Sequence, residues 1–126
     1  MTDDSPLRRR IRSFRYAARG ILTMLASEPN ARLHAIATVL VVLAGFGFGI
    51  ERDEWLAVVL AIGAVWMAEA FNTAFEALCD VVSPERHPQI ERAKDVAAGA
   101  VLLAALAALA VAVIVFGPRV LFLATA

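Results

Sequence analysis

Long apolar stretches alternate with short polar segments along most of the chain, and this pattern predicts helices that cross a membrane. Residues 96–117 form a run of 22 residues without a charged side chain. As a helix this run would be about 33 Å long, enough to cross a hydrocarbon core of about 30 Å. Residues 35–50 are also uncharged. They reach spanning length when the run is extended back to Ala31, with the Arg32 side chain reaching the headgroups.

The middle stretch is apolar for only part of its length. Residues 55–68 carry no charge, and acidic and amide side chains then recur until the pattern ends near Val82. A helix here would cross the membrane with its last third polar on one side. The chain is therefore expected to be an all-α membrane protein with one integral-membrane domain, residues 1–126. Its transmembrane helices are expected at 31–50, 55–82 and 95–117, joined by loops at 51–54 and 83–95.

Residues 7–28 have a different pattern, typical of an amphipathic helix that lies on the membrane surface. Apolar side chains and arginines each recur at helical spacing: Leu7, Ile11, Phe14, Ala18, Ile21 and Leu25, and Arg8, Arg12, Arg15 and Arg19. A cleaved signal sequence is the alternative, but no small-residue cleavage site precedes the further spans. The arginines are as suited to anionic headgroups as to a nucleotide.

Composition agrees with a membrane environment. Of the 126 residues, 60% are hydrophobic, whereas soluble domains are roughly 45–50% apolar. Twelve basic and twelve acidic residues balance to a formal charge of zero, so no nucleic-acid partner is expected. The single cysteine, Cys79, excludes an internal disulfide.

The distribution of arginine and lysine predicts the orientation of the chain. Seven arginines lie between Arg8 and Arg32 and three basic residues lie in 83–95, whereas the 51–54 loop and the C-terminal segment carry one arginine each. Basic residues accumulate in cytoplasmic loops. The N terminus and the 83–95 loop are therefore expected inside, and the C terminus outside.

The polar end of the middle helix is a candidate chemical site. Glu69, Asn72, Glu76 and Asp80 are spaced by three, four and four residues, so they share one face of a helix, with Thr73 beside them. Ionisable side chains inside a span are costly and usually functional. A polar seam between helices or subunits is the alternative.

Two kinds of function use paired carboxylates at this depth: an ion-coupled carrier, and an enzyme that acts on a lipid headgroup with a divalent metal. The acids occupy only the cytoplasmic end of the helix, which favours interfacial chemistry. Glu28 could share magnesium with Glu76, or could form a helix-end ion pair with Arg32. Lys94, the only lysine, lies beside Asp95 and could neutralise a phosphate or act as a positive anchor.

Residues 69–80, EAFNTAFEALCD, resemble the signature of the prokaryotic diacylglycerol kinase and undecaprenol kinase family of small membrane lipid kinases. Further matches follow in the family's order: Ser13-Phe14, Ala17, Gly20, Glu28, Asn30, Arg32, His34, Glu54-Trp55, His87-Pro88 and residues 93–101. The resemblance covers roughly residues 8–117. One departure is Glu91, where related sequences often carry lysine.

The resemblance implies a homotrimer with active sites shared between subunits, in the bacterial inner membrane. It also implies ATP as phosphoryl donor, Mg²⁺, and a lipid alcohol as acceptor. Glu69 would be the general base, Asn72 its orienting neighbour, and Glu28 and Glu76 the magnesium ligands. Nucleotide contacts are expected from Arg9, Tyr16, Glu28, Glu76, Glu85, Arg86, His87, Lys94 and Asp95. Lipid contacts are expected from Ser13, Phe14, Arg15, Tyr16, Ala17, Ala18, Glu69 and Ala98.

The choice of acceptor depends on three local patterns. Asn30-x-Arg32-x-His34, His87-Pro88 and residues 95–99 look more like the undecaprenol branch than the diacylglycerol branch. Undecaprenol is therefore the expected acceptor and diacylglycerol the alternative. A small ion- or proton-coupled carrier and an oligomeric scaffold are the competing functions from other classes.

Overall fold

The computed structural model describes residues 5–126, so the first four residues of the expected domain lie outside the described range. Within it the chain forms four helices: α1 (Pro6–Ser27), α2 (Pro29–Phe48), α3 (Arg52–Val82) and α4 (Pro88–Thr125). The expected all-α architecture is confirmed. The most extensive packing is between α3 and α4; α2 lies against α3, and α1 touches α2 and α3.

Three of these helices are long and apolar enough to cross a membrane, as the sequence predicts: α2, α3 and α4. Their 20, 31 and 38 residues correspond to about 30, 46 and 57 Å, against a hydrocarbon core of about 30 Å. The two longer helices therefore extend beyond the core.

Local sequence signals explain where the first three helices begin and end. Glu28 adopts an extended conformation between α1 and α2, because a residue that precedes proline is disfavoured in the helical region. Gly49 ends α2 in the left-handed conformation, with φ of 60°, which glycine adopts without steric cost. Glu51 and Glu54 form a reciprocal capping box that starts α3.

The fourth helix is longer at both ends than the span expected at 95–117. It begins at Pro88 because Nδ1 of His87 accepts a hydrogen bond from the Gln89 amide at 3.2 Å, so the connection is 83–87 rather than a loop over 83–95. It also continues through Pro118. Beside that proline, the Arg119 guanidinium donates to the Val115 carbonyl and makes two hydrogen bonds of 2.8 and 2.9 Å to the Glu54 carboxylate. These contacts hold this part of α4 against the start of α3.

The buried core lies at the same end of the molecule. Ile50, Val58 and Val115 form a buried cluster against which Trp55 packs. Nearer the other end, Nε1 of Trp66 on α3 donates to Oγ1 of Thr38 on α2 at 3.0 Å. Most remaining large apolar side chains are exposed, as expected for helices surrounded by lipid or by neighbouring subunits.

Gly45 is the point where α2 approaches Trp55 most closely. A Cβ at Gly45 would lie 2.6 Å from Cη2 of Trp55 and 3.2 Å from Cδ1 of Ile50, whereas a Cβ at Gly47 would meet nothing within 4 Å. Gly45→Ala should therefore lower the free energy of unfolding by about 1–3 kcal/mol through overpacking. The matched Gly47→Ala should be neutral or stabilise by up to about 1 kcal/mol. Unfolding of both variants in detergent measures the difference, and equal effects would contradict this packing.

Candidate active site

The site is centred on a buried carboxylate in the middle of α3. Glu69 is the buried charged residue among residues 5–126, with 2% of its surface exposed. Its Oε2 atom has no hydrogen-bond partner. Because a buried carboxylate without full pairing is costly, its presence here indicates a function rather than a contribution to stability.

His34 on α2 faces this carboxylate. Its Nε2 atom lies 3.7 Å from Oε2 of Glu69, and the imidazole is 19% exposed. Sequence reasoning noted His34 in the family pattern but gave it no place among the site residues. Its four-residue spacing from Asn30, which places the two side chains on one face of α2, was the available signal. The contact itself joins two helices, so spacing along one helix could not identify it.

Asn72 and Glu76 continue the polar face of α3, as their spacing predicts. Nδ2 of Asn72 donates to Oε1 of Glu76 at 3.2 Å. Oδ1 of Asn72 and Oγ1 of Thr73 are buried without a hydrogen-bond partner. Glu69 and Asn72 line the cavity described below, so Oε2 of Glu69 and Oδ1 of Asn72 give the site unused capacity for polar contacts with a ligand.

A cavity of about 320 Å³ between α2, α3 and α4 exposes this polar face. Glu69, Asn72, Glu76 and Ala98, all expected site residues, line it. The cavity also includes residues that sequence reasoning did not assign: Asn30, Leu33, His34, Val101, Leu102 and Ala105. His34 and Ala105 also line a second, mainly apolar cavity of about 270 Å³. The cavity beside the polar face of α3 therefore adjoins this second cavity, which we call the apolar groove.

Of the two carboxylates expected to bind magnesium, Glu76 lines the cavity, whereas Glu28 lies at the junction of α1 and α2. Oε1 of Glu28 accepts from Ser27 and Oε1 of Glu76 accepts from Asn72, which leaves a second oxygen on each. Two carboxylates suit Mg²⁺ when phosphate oxygens and water supply its other ligands. Across residues 5–126, no group of three or more His, Cys, Asp or Glu side chains could hold a metal by itself.

Lys94 pairs with an acidic residue that sequence reasoning placed on the α3 stripe but did not assign to the site. Its Nζ atom lies 2.9 Å from Oδ1 of Asp80. The pair joins α3 to α4 beyond Glu76. Asp95, next to it, is exposed. The ammonium is thus held on the side of the molecule where the acidic stripe ends.

The remaining residues expected to contact nucleotide or lipid lie outside the cavity of this chain. Glu85, Arg86 and His87 are exposed in the connection between α3 and α4, where His87 caps α4. The expected residues of α1 are all exposed and do not line the cavity: Arg9, Ser13, Phe14, Arg15, Tyr16, Ala17 and Ala18. The cavity of this chain therefore brings together Glu69, Asn72 and Glu76, but not the expected residues of α1.

Comparison with known proteins shows the family of the chain. Residues 15–116 match the family model described as prokaryotic diacylglycerol kinase. The chain belongs to this family. An undecaprenol kinase of Bacillus subtilis (strain 168) is 35% identical over 113 residues, which cover 90% of this chain and 92% of that protein.

Two further relatives are named diacylglycerol kinases. A diacylglycerol kinase of Synechocystis is 39% identical over 100 residues, covering 79% of this chain but 57% of that longer protein. A diacylglycerol kinase of Pseudomonas aeruginosa is 29% identical over 98 residues, covering 78% of this chain and 80% of that protein. The expected kinase activity is confirmed, and with it the use of ATP by a protein of the prokaryotic inner membrane.

Proposed function

We propose that the protein transfers the γ-phosphoryl group of ATP to the hydroxyl group of undecaprenol at the cytoplasmic face of the inner membrane. The observation that carries this proposal is the buried Glu69 carboxylate, which has an unpaired oxygen in a cavity that adjoins an apolar groove. The undecaprenol kinase of Bacillus subtilis supports this acceptor, since the match covers nine tenths of both chains. Diacylglycerol is the second candidate, supported by the relatives of that name.

In this proposal Glu69 acts as the general base. The lipid hydroxyl gives its proton to the carboxylate while its oxygen attacks the γ-phosphorus. The bond from the γ-phosphorus to the β–γ bridging oxygen breaks, and ADP leaves. Asn72 orients the reacting groups from one turn away, with Glu76 as its hydrogen-bond partner. Phosphoryl transfer depends mainly on positioning and charge neutralisation, so these few side chains can be sufficient.

Glu28 and Glu76 would hold Mg²⁺, which neutralises phosphate charge when it is bound. Lys94 and Asp95 would contact the nucleotide from α4, with Glu85, Arg86 and His87 in the adjoining connection. The Lys94 ammonium is paired with Asp80, and the triphosphate of ATP would offer it a second anionic partner.

The residues of α1 would complete the site from a neighbouring subunit. Arg9 and Tyr16 would contact nucleotide, and the lipid-contacting residues are 13–18. Their exposure on this subunit supports a homotrimer with shared active sites. The exposed apolar side chains of α1 support a position on the membrane surface, with its arginines near anionic headgroups.

Purified protein with labelled ATP should phosphorylate undecaprenol faster than diacylglycerol, as resolved by thin-layer chromatography of the lipid products. Glu69→Gln should lower kcat by about 10²- to 10⁴-fold, the usual contribution of a general base, while nucleotide binding persists. Asp53→Asn, a carboxylate change at the opposite end of the same helix, is the control and should have wild-type turnover. Wild-type turnover in Glu69→Gln would show that the base is elsewhere, and solute flux without lipid phosphorylation would favour a carrier.

Glu76→Gln should weaken the response to Mg²⁺ because it replaces a charged oxygen ligand with an amide. The Mg²⁺ concentration for half-maximal activity should rise roughly tenfold or more, as for other losses around metal sites. A titration of activity with Mg²⁺ at fixed ATP measures this shift. An unchanged titration curve with a lower plateau would remove Glu76 from the metal site.

The proposed orientation is testable with single cysteines. Cys79 is buried, so Cys79→Ala provides a background for Pro84→Cys in the 83–87 connection and Asp53→Cys at the start of α3. An impermeant maleimide should label Asp53→Cys in intact cells, and Pro84→Cys only after the membrane is permeabilised. The reverse result would place the acidic residues away from cytoplasmic ATP and would overturn the proposed function.

A further inference from the structure

His34 is the basic side chain that meets the buried carboxylate. Within residues 5–126, the basic side chain that lies close to the Glu69 carboxylate is His34. It comes from α2, whereas the rest of the polar face is on α3. The imidazole is thus a partner for Glu69 on the opposite wall of the cavity.

The separation of the two groups is informative. Their 3.7 Å distance is longer than a hydrogen bond, which is usually 2.7–3.2 Å between N and O. Hydrogen bonds of catalytic groups are often long before substrate binds and shorten in the reactive complex. A movement of well under 1 Å would therefore let Nε2 donate to the oxygen that has no other partner.

We propose that His34 is a positioning residue for Glu69, an inference that rests on the proposed role of Glu69 as the base. A neutral imidazole protonated at Nε2 has one N–H donor on that side. By donating it to Oε2, His34 would orient the carboxylate so that Oε1 accepts the proton of the lipid hydroxyl. In this role His34 donates a hydrogen bond and transfers no proton itself.

This role differs from that of a packing residue. His34 lines both the polar cavity and the apolar groove, so it lies where the hydroxyl end of a lipid would enter. A residue that only filled space there could be replaced by an apolar side chain of similar size. A residue that orients Glu69 needs a donor at the same place.

The test compares His34→Leu, which keeps bulk but removes the donor, with His34→Gln, whose amide can donate. In the undecaprenol assay with full-length protein, His34→Leu should lower kcat by about 10- to 100-fold, the range for one lost hydrogen bond to a charged group. The KM for ATP should stay within about twofold, since His34 does not contact nucleotide in the proposal. His34→Gln should recover most of the turnover. Equal losses in Leu and Gln, or wild-type kcat in His34→Leu, would overturn the inference.

Trp66→Phe is the matched control because it removes another polar contact between the same two helices, the hydrogen bond that Nε1 of Trp66 donates to Thr38. It should lower the melting temperature through loss of that hydrogen bond and leave kcat nearly unchanged. A loss of kcat as large as that of His34→Leu would indicate general loosening of the helices and would contradict the positioning role.

A second background separates the two proposals. In Glu69→Asp the shorter side chain withdraws the carboxylate from the imidazole, so His34→Leu should cause little further loss there. A full additional loss would show that His34 acts independently of Glu69. If Glu69→Gln is inactive while His34→Leu has normal turnover, only the inference about His34 fails. If Glu69→Gln is active, the proposed base itself is wrong.

Discussion

The burial of the Glu69 carboxylate is the constraint on which the arrangement of the site depends. A charged group at this depth costs several kcal/mol, and its Oε2 atom has no hydrogen bond that offsets this cost. The helices must therefore be held together by contacts elsewhere. Those contacts are concentrated near the connection between α2 and α3, residues 49–51. There Ile50, Val58 and Val115 are buried, and Arg119 binds Glu54 through two hydrogen bonds. Stabilising contacts and candidate chemistry thus lie in different parts of the same helices.

This separation explains why a chain of this size can keep unpaired polar atoms in its interior. Unsatisfied groups weaken a fold, and they persist where a ligand uses them. Oδ1 of Asn72 and Oγ1 of Thr73 lie within one turn of Glu69 and are likewise unpaired. A substrate hydroxyl can donate a hydrogen bond to an acceptor oxygen of this kind. A bound substrate would therefore supply hydrogen bonds that the side chains of the site lack.

The length of the uncharged runs was sufficient to predict the three apolar helices, and residue spacing was sufficient to predict the shared face of Glu69, Asn72 and Glu76. Both are properties of a single helix, so neither could predict contacts between helices. The approach of His34 to Glu69 and the pairing of Lys94 with Asp80 depend on how α2 and α4 are rotated against α3, which spacing within one helix does not determine. The start of α4 was a different failure, since the capping residue His87 and the proline after it were local signals for Pro88 as the first helical residue.

The depth of the carboxylates along α3 suits the proposed reaction. Glu69 and Glu76 are seven residues apart, which corresponds to about 10 Å, or two helical turns. With a lipid hydroxyl at Glu69 and the phosphates of ATP at Glu76, the attacking oxygen would lie on the membrane side of the γ-phosphorus and the leaving group on its aqueous side. In-line displacement requires this opposition. Asn72 lies between the two carboxylates and is hydrogen-bonded to Glu76, so the transferred group would pass its amide. In the proposed mechanism, a single helix that crosses the interface would align two substrates that dissolve in different phases, without a separate nucleotide-binding domain.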